Sequence, residues 1–255
     1  VTKWGRPYAL RTAELLPVLL DQVEAGTGGE SVWRELETML CVEGETLVPG
    51  SLAALPRLVA LASCETQALE MAGAIVRSAM SDGQGERMFV ESPDAIAELR
   101  ELVDRRLRTR PADYLWGFRT LLAIEGQFHW SAALGDFSDD FYTVDCPHCG
   151  LDTTIAIGGY GNYSARRDWE AGDVDRRDLR PASVAELDGT GRWMYDLAVR
   201  DAQDRLAEGI TYLMGRAECP RCASVFRMGD EYAAANLPPS VFCSDRAIQD
   251  RLTCR

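Results

Sequence analysis

Lysine is almost missing from this chain: of its 27 basic residues only Lys3 is lysine, and the rest are arginine. Such one-sided usage is read as the mark of a GC-rich genome, so the abundance of arginine does not signal phosphate recognition. Histidine is nearly as scarce, with His129 and His148 the only two. That leaves little material for a Ser-His-Asp or Cys-His nucleophilic arrangement. Basic residues are also outnumbered by 40 acidic ones, for a formal charge of -13. Binding to a phosphate backbone needs a cationic surface that releases counterions, so nucleic acid is not an expected partner. An acidic surface instead attracts a basic protein or cationic ligand and speeds the encounter, or serves solubility alone.

Long apolar runs are absent too. No stretch approaches the roughly eighteen uninterrupted apolar residues of a membrane span, and the N-terminal "VTKWGRPYALRTAELL" has no apolar core followed by a small-residue cleavage site. The expected location is the cytoplasm, with no membrane partner. What is present, 46% hydrophobic and 26% charged residues over 255 positions, matches a globular protein with a sizeable core, as one large domain or two small ones.

The first 130 residues read as amphipathic helices. "AELLPVLLDQV", "ESVWRELETML", "SLAALPRLVALA", "ETQALEMAGAIVRSAM", "SPDAIAELRELVDRRL" and "ADYLWGFRTLLAIEG" repeat apolar residues at three and four. Ser51, Ser92-Pro93-Asp94 and Pro111 supply start signals. Three helices share a local pattern, Leu16-Pro17-Val18-Leu19, Leu55-Pro56-Arg57-Leu58 and Ile96-Ala97-Glu98-Leu99, at offsets of 39 and 41 residues. That period is close to the roughly 40 to 47 of two-helix repeats, and proline at a fixed phase predicts a repeated bend. On these residues the first half of the chain resembles a HEAT-like repeat array, which implies stacked helical hairpins and a surface that holds partners. An irregular helical bundle is the alternative.

After residue 130 the character changes. "GDFSDDFYTVDCPHCGLDTTIAIGGYGNYSARRDWEAGDVDRRDLRP" shows period-two stretches, glycine clusters and charge, the marks of strands and loops. Helical periodicity returns in "GRWMYDLAVRDAQDRLAEGITYLMG", followed at once by "ECPRCASVFRM". The strand-rich segment therefore reads as an insertion between helices. Its boundaries divide the chain into residues 1–135 (helical array), 136–180 (first part of the insertion), 181–216 (returning helices), 217–240 (second part) and 241–255 (tail).

Cys146 and Cys149 form one Cys-Pro-x-Cys pair and Cys219 and Cys222 another, with 69 residues between the pairs. The small residues Gly150 and Ala223 follow, allowing a tight turn whose amides face the sulfurs. With their flanking strands the pairs resemble a zinc ribbon, which implies a structural Zn²⁺ held by Cys146, Cys149, Cys219 and Cys222. The separation exceeds the about fifteen to twenty residues of a compact finger, and a helix-bearing insertion accounts for it. Iron in the same tetrahedron, a redox dithiol, two disulfides and plain reduced thiols are the alternatives. A redox pair sits between a strand and a helix N-terminus, whereas Cys146-Cys149 reads with strands on both sides. Four thiolates would leave no position for water, which makes such a metal structural. His148, between two ligands, is expected to point outward. Cys243 and Cys254 are substitute ligands or ordinary thiols, and Cys41 and Cys64 are expected as small core residues within helices.

Other candidates are weaker. "GGYGNYS" lacks dinucleotide-loop spacing and reads as a flexible turn. Tyr160, Tyr163 and Trp169 beside Arg166 and Arg167 form an aromatic and cationic loop expected at the surface, suited to binding a protein or small molecule. Glu125 and His129, at i and i+4, could coordinate a metal or share a proton, against the commoner reading of a helix-end histidine. Asp136, Asp139 and Asp140 read as a solvated acidic turn that could alternatively bind an arginine.

The expected fold is therefore mainly α, with HEAT-like stacked helical hairpins and a small inserted β zinc ribbon. The expected function is a non-enzymatic protein-interaction module of scaffold, adaptor or immunity type. An enzyme using Glu125, His129, Tyr160, Arg166 and Arg167 in a pocket is the alternative, and nucleic-acid binding through the ribbon a third.

Overall fold

The computed structural model describes residues 5–42, 46–48 and 50–236, and the side chains of 14–40, 47–48 and 50–232. Cys243 and Cys254 lie outside these residues, as does the side chain of Cys41. The chain divides into two compact units, Val1–Phe128 and His129–Arg255. Among the described residues the protein is mostly helical, and no helix is long and apolar enough to cross a membrane.

The first unit contains α1 (Gly5–Glu24), α2 (Glu30–Leu40), a small pair of strands β1 (Cys41–Val42) and β2 (Thr46–Leu47), α3 (Ser51–Leu61), α4 (Thr66–Ser81), α5 (Gly85–Glu91), α6 (Pro93–Arg108) and α7 (Tyr114–Ile124). The six expected helices are all present. The short α5 was not expected, nor was the strand at Cys41. Cys64 is exposed in the turn after α3 rather than packed in a helix, its thiol donating to the Leu61 carbonyl at 3.2 Å.

Apolar periodicity explains the outer helices. On α6, Ile96, Leu99, Leu102, Val103 and Leu107 are buried, a single stripe at three- and four-residue steps. On α2 the stripe is Trp33, Leu36, Met39 and Leu40. Helix α4 differs, because it is buried on nearly every face from Ala68 to Ala79 and packs against α2, α3, α5, α6 and α7. Its small residues, among them Ala72, Gly73 and Ala79, let those neighbours come close. Pro17 lies inside α1 and Pro56 inside α3, where each removes one backbone hydrogen bond. Ser51, expected as a cap, is the first residue of α3 after Gly50; its buried hydroxyl donates to the Leu40 carbonyl at 2.8 Å.

The second unit begins on α8 (Phe128–Ala133) and a 3-10 turn at Asp136–Ser138. An antiparallel meander follows: β3 (Phe141–Asp145), β4 (Asp152–Gly158), β5 (Gly161–Asp168) and β6 (Gly172–Asp178), paired in that order. Helices α9 (Gly189–Arg200) and α10 (Asp204–Leu213) lead to the hairpin β7 (Arg216–Glu218) and β8 (Val225–Arg227), then to α11 (Met228–Asn236). The returning helical stretch is thus two helices, broken at Ala202, whose φ is +54°. The second part of the insertion, expected to run to residue 240, gives way to a helix at Met228.

Strand β4 carries a run of five buried residues, Thr153 to Ile157, so it is covered on both faces, and α10 packs against it. Helix α11 packs on β3, where Tyr142 and Tyr232 meet edge to face with ring centroids 5.2 Å apart. The acidic run before β3 is not a solvated turn throughout. Asp140 is 6% exposed, accepts the Gly159 amide at 2.7 Å and pairs with Arg205 of α10 at 2.6 Å. Asp136 accepts the Tyr232 hydroxyl. Only Asp139 of the three is exposed.

The α4–α7 approach is tight enough to test. A Cβ at Gly73 would lie 2.7 Å from Thr120 Oγ1 and 3.2 Å from its methyl carbon. Overpacking of this kind costs about 1–3 kcal/mol, against a helix-propensity gain of about 1 kcal/mol. Gly73→Ala is therefore expected to lower stability by up to about 2 kcal/mol in denaturant titration. A raised midpoint would show that the two helices are not in contact there.

Candidate metal centre

Both cysteine pairs lie in turns between antiparallel strands. Between β3 and β4, whose last pair is Asp145 with Asp152, the Cys146 amide donates to the Leu151 carbonyl at 2.8 Å and the Gly150 amide returns to the Cys146 carbonyl at 2.9 Å. Between β7 and β8 the pattern repeats. The Cys219 amide donates to Ser224 and the Ala223 amide to Cys219, both at 2.9 Å. The residue after each second cysteine takes a left-handed conformation, Gly150 at φ +65° and Ala223 at φ +58°. The two turns are the same structure built twice, with glycine in the first and alanine in the second.

Backbone contacts bring the turns together across the long separation. The Ser164 hydroxyl on β5 donates to the Glu218 carbonyl on β7 at 2.6 Å, and Arg180 and Arg216 exchange backbone hydrogen bonds at 2.8 and 2.9 Å. The Glu218 carboxylate pairs with Arg180 at 3.4 Å and Arg177 at 3.6 Å. As a result Cys146 Sγ lies 3.7 Å from Cys222 Sγ, Cys149 Sγ lies 3.7 Å from Cys219 Sγ, and all four sulfurs fall within 4.8 Å of one another.

Four cysteines thus stand within reach of one metal ion. A tetrahedron with metal–sulfur bonds of about 2.3 Å has edges of about 3.8 Å, close to the Cys146–Cys222 and Cys149–Cys219 separations of 3.7 Å. A disulfide needs about 2.05 Å, and all four cysteines are free thiols. Neither pair precedes a helix N-terminus that would prepare a redox thiol. The sulfurs are unequal. Burial pushes the Cys146 thiol up, opposed by the amides of His148 and Cys149 directed at it. The exposed Cys222 thiol is drawn down to about 6, first by the Ser224 hydroxyl and then by the Ser224 amide. His148 is exposed and lies outside the cluster.

The aromatic and cationic candidates do not form one loop. Tyr160 sits in the β4–β5 turn and Trp169 in the β5–β6 turn, at opposite ends of the eight-residue β5. At about 3.3 Å per residue they are separated by roughly 30 Å along the strand. Tyr163 is buried on β5, its hydroxyl donating to Asp173 at 2.8 Å. Burial first, and that bond second, raise the pKa of this phenol. Arg167 pairs with Asp173 at 2.8 Å and Arg166 with Asp175 at 3.4 Å. Tyr160 is 66% exposed and rests on Phe141, whereas Trp169 is 97% exposed. The β5–β6 turn lies at the same end of the meander as the first cysteine turn.

Glu125 and His129 do not share a helix. Helix α7 ends at Ile124, Gly126 takes φ +73°, and α8 starts at Phe128. Glu125 is ion-paired with Arg100 of α6, and the His129 ring is tilted against Trp130 with centroids 5.0 Å apart. The sequence reading also passed over Arg77, the one charge within "AGAIVRSAM", although a lone arginine in an apolar helix signals a buried polar environment. Compared with protein-family models, curated proteins and solved structures, the chain finds no match in any of the three.

The asymmetry of the two turns yields a stability test. A left-handed backbone costs a non-glycine residue about 1–2 kcal/mol, so Ala223→Gly is expected to stabilise the second unit by about 1 kcal/mol in thermal or denaturant unfolding. Destabilisation by this change would mean that Ala223 does not take the left-handed conformation.

Proposed function

We propose that the chain is a non-enzymatic partner-binding module whose second unit is organised by a structural zinc ion. The observation that carries the reading is the convergence of Cys146, Cys149, Cys219 and Cys222 on one point. Four thiolates suit Zn²⁺ and complete its tetrahedron, leaving no place for a reactive water or substrate. The ion would join two hairpins of a zinc ribbon, β3–β4 and β7–β8, with the helices α9 and α10 between them. For the first unit the HEAT-like reading draws support from the packing of α3 with α4 and of α6 with α7. The central position of α4 goes beyond a linear array, in which each repeat touches only its neighbours.

The partner in this reading is a basic protein or cationic ligand, drawn by the charge of -13. Trp169, almost fully exposed at the metal end of the meander, is the natural anchor, since exposed tryptophans in rigid turns are typical hot spots. The intramolecular pairs of Arg166 and Arg167, and the burial of Tyr163, leave Trp169 and Tyr160 as the aromatic contacts at the surface.

Two measurements test the proposal. Elemental analysis of chain purified without chelator should find one zinc per chain, and chelation or Cys149→Ser should increase hydrogen exchange in residues 129–236 more than in 5–128. Metal-free protein with unchanged exchange would refute the structural ion. For the partner, proteins captured from a lysate on the immobilised chain should elute as salt rises, because attraction is screened over about 8 Å at physiological ionic strength. Trp169→Ala should speed dissociation and Asp139→Asn slow association. Salt-independent binding, or nucleic acid as the tightest ligand, would overturn the electrostatic reading.

A further inference from the structure

The helical unit carries a half-open cavity of about 690 Å³ between α2, α4, α6 and α7, within the size range of small-molecule sites. Its apolar lining includes Trp33, Leu69, Val103, Leu107 and Trp116. Charges of both signs line it as well.

One end is acidic. Glu70 of α4 and Asp113, the residue before α7, share one guanidinium nitrogen of Arg106, at 3.4 and 2.9 Å. Glu37 of α2 adds a third carboxylate at the rim. The lining also holds the Glu30–Arg34 pair of α2, 2.8 Å apart, whose charges cancel; Glu37, Glu70 and Asp113 against Arg106 leave surplus negative charge. Partial burial raises the pKa of the Glu70 carboxyl, Asp113 adds to that, Arg106 opposes it, and Glu37 adds again.

The other end is basic. Arg77 lies seven residues after Glu70 on α4, so both project from the same face, about 10 Å apart along the axis. Arg77 is only 7% exposed and lines the cavity. Its guanidinium donates to the Trp116 carbonyl at 3.3 Å and to the Thr120 hydroxyl, and lies 4.8 Å from the centre of the Trp116 ring. A guanidinium keeps its charge at every physiological pH, and a low-dielectric surrounding strengthens its field.

We propose that this cavity binds a small zwitterionic organic molecule with an apolar body, of the amino-acid or short-peptide class: its cationic group meets Glu70 and Asp113, its anionic group meets Arg77, and its body lies against Trp33 and Trp116. A neutral apolar ligand would strip water from the carboxylates without replacing it. A simple anion would face the carboxylates and a simple cation the arginine. Only a molecule carrying both signs meets a complementary charge at each end. This site lies within the first unit and does not depend on the metal.

The test is isothermal titration of the full chain with phenylalanine, glycyl-phenylalanine and diglycyl-phenylalanine, whose charge separation increases in that order, each also as its N-acetyl and C-amide derivative. At least one zwitterion should bind at millimolar concentration or below, with each blocked derivative weaker by about tenfold or more, the equivalent of one charge-assisted bond. Glu70→Gln should remove most of the penalty for N-acetylation while leaving the penalty for C-amidation in place. Absence of heat with all three zwitterions, equal binding of the blocked forms, or unchanged discrimination in Glu70→Gln would overturn the proposal.

Discussion

Two turns separated by 69 residues must place four sulfurs within 4.8 Å of one another, and the second unit is arranged around that requirement. The β3–β4 and β7–β8 hairpins are too short to be stable alone, since an isolated two-stranded hairpin is marginal in water. An ion at their sulfurs would hold them together only because the connecting elements, β5, β6, α9 and α10, bring the chain back to the same point. Backbone bonds from Ser164 and Arg180 to β7 fix the approach, and the repeated amide pattern in each turn fixes the direction of the sulfurs. Charge repulsion among four thiolates would oppose the arrangement without a cation, which is why the geometry and the chemistry of the site point the same way.

The first unit depends on a different device. Helix α4 has small residues where its neighbours approach and apolar ones between, so it serves as the common core for five other helices. The presence of Arg77 within this helix is costly unless its hydrogen bonds are made, and α7 supplies them through Trp116 and Thr120. The contact that satisfies a buried charge therefore also sets the spacing of α4 and α7, and with it the width of the cavity.

Periodicity made most of this legible. Long helices such as α4 and α6 repeat their apolar residues often enough to be found, and the two Cys-Pro-x-Cys pairs indicate a common site without help from structure. The misses have local causes. Seven residues of α5 span too few turns to show a period. The break at Ala202 has no glycine or proline to mark it, because alanine occupies the left-handed position. Tyr163 was grouped with Tyr160 and Trp169 by nearness in sequence, but a strand sends its alternate side chains to opposite faces and its two ends far apart. Glu125 and His129 have helical spacing, yet Gly126 ends the helix between them. Pairings such as Asp140 with Arg205, 65 residues apart, leave no trace in a local pattern.

The split of the site between distant turns also has a consequence in time. Synthesis proceeds at about 5–20 residues per second, so the first cysteine pair leaves the ribosome roughly 3–14 s before the second. Through that interval Cys146 and Cys149 are a half-site, able to hold an ion only with borrowed ligands such as water or a small thiol. An ion bound by the four cysteines would be enclosed in the order in which the chain is made, with the last ligand waiting for Cys222.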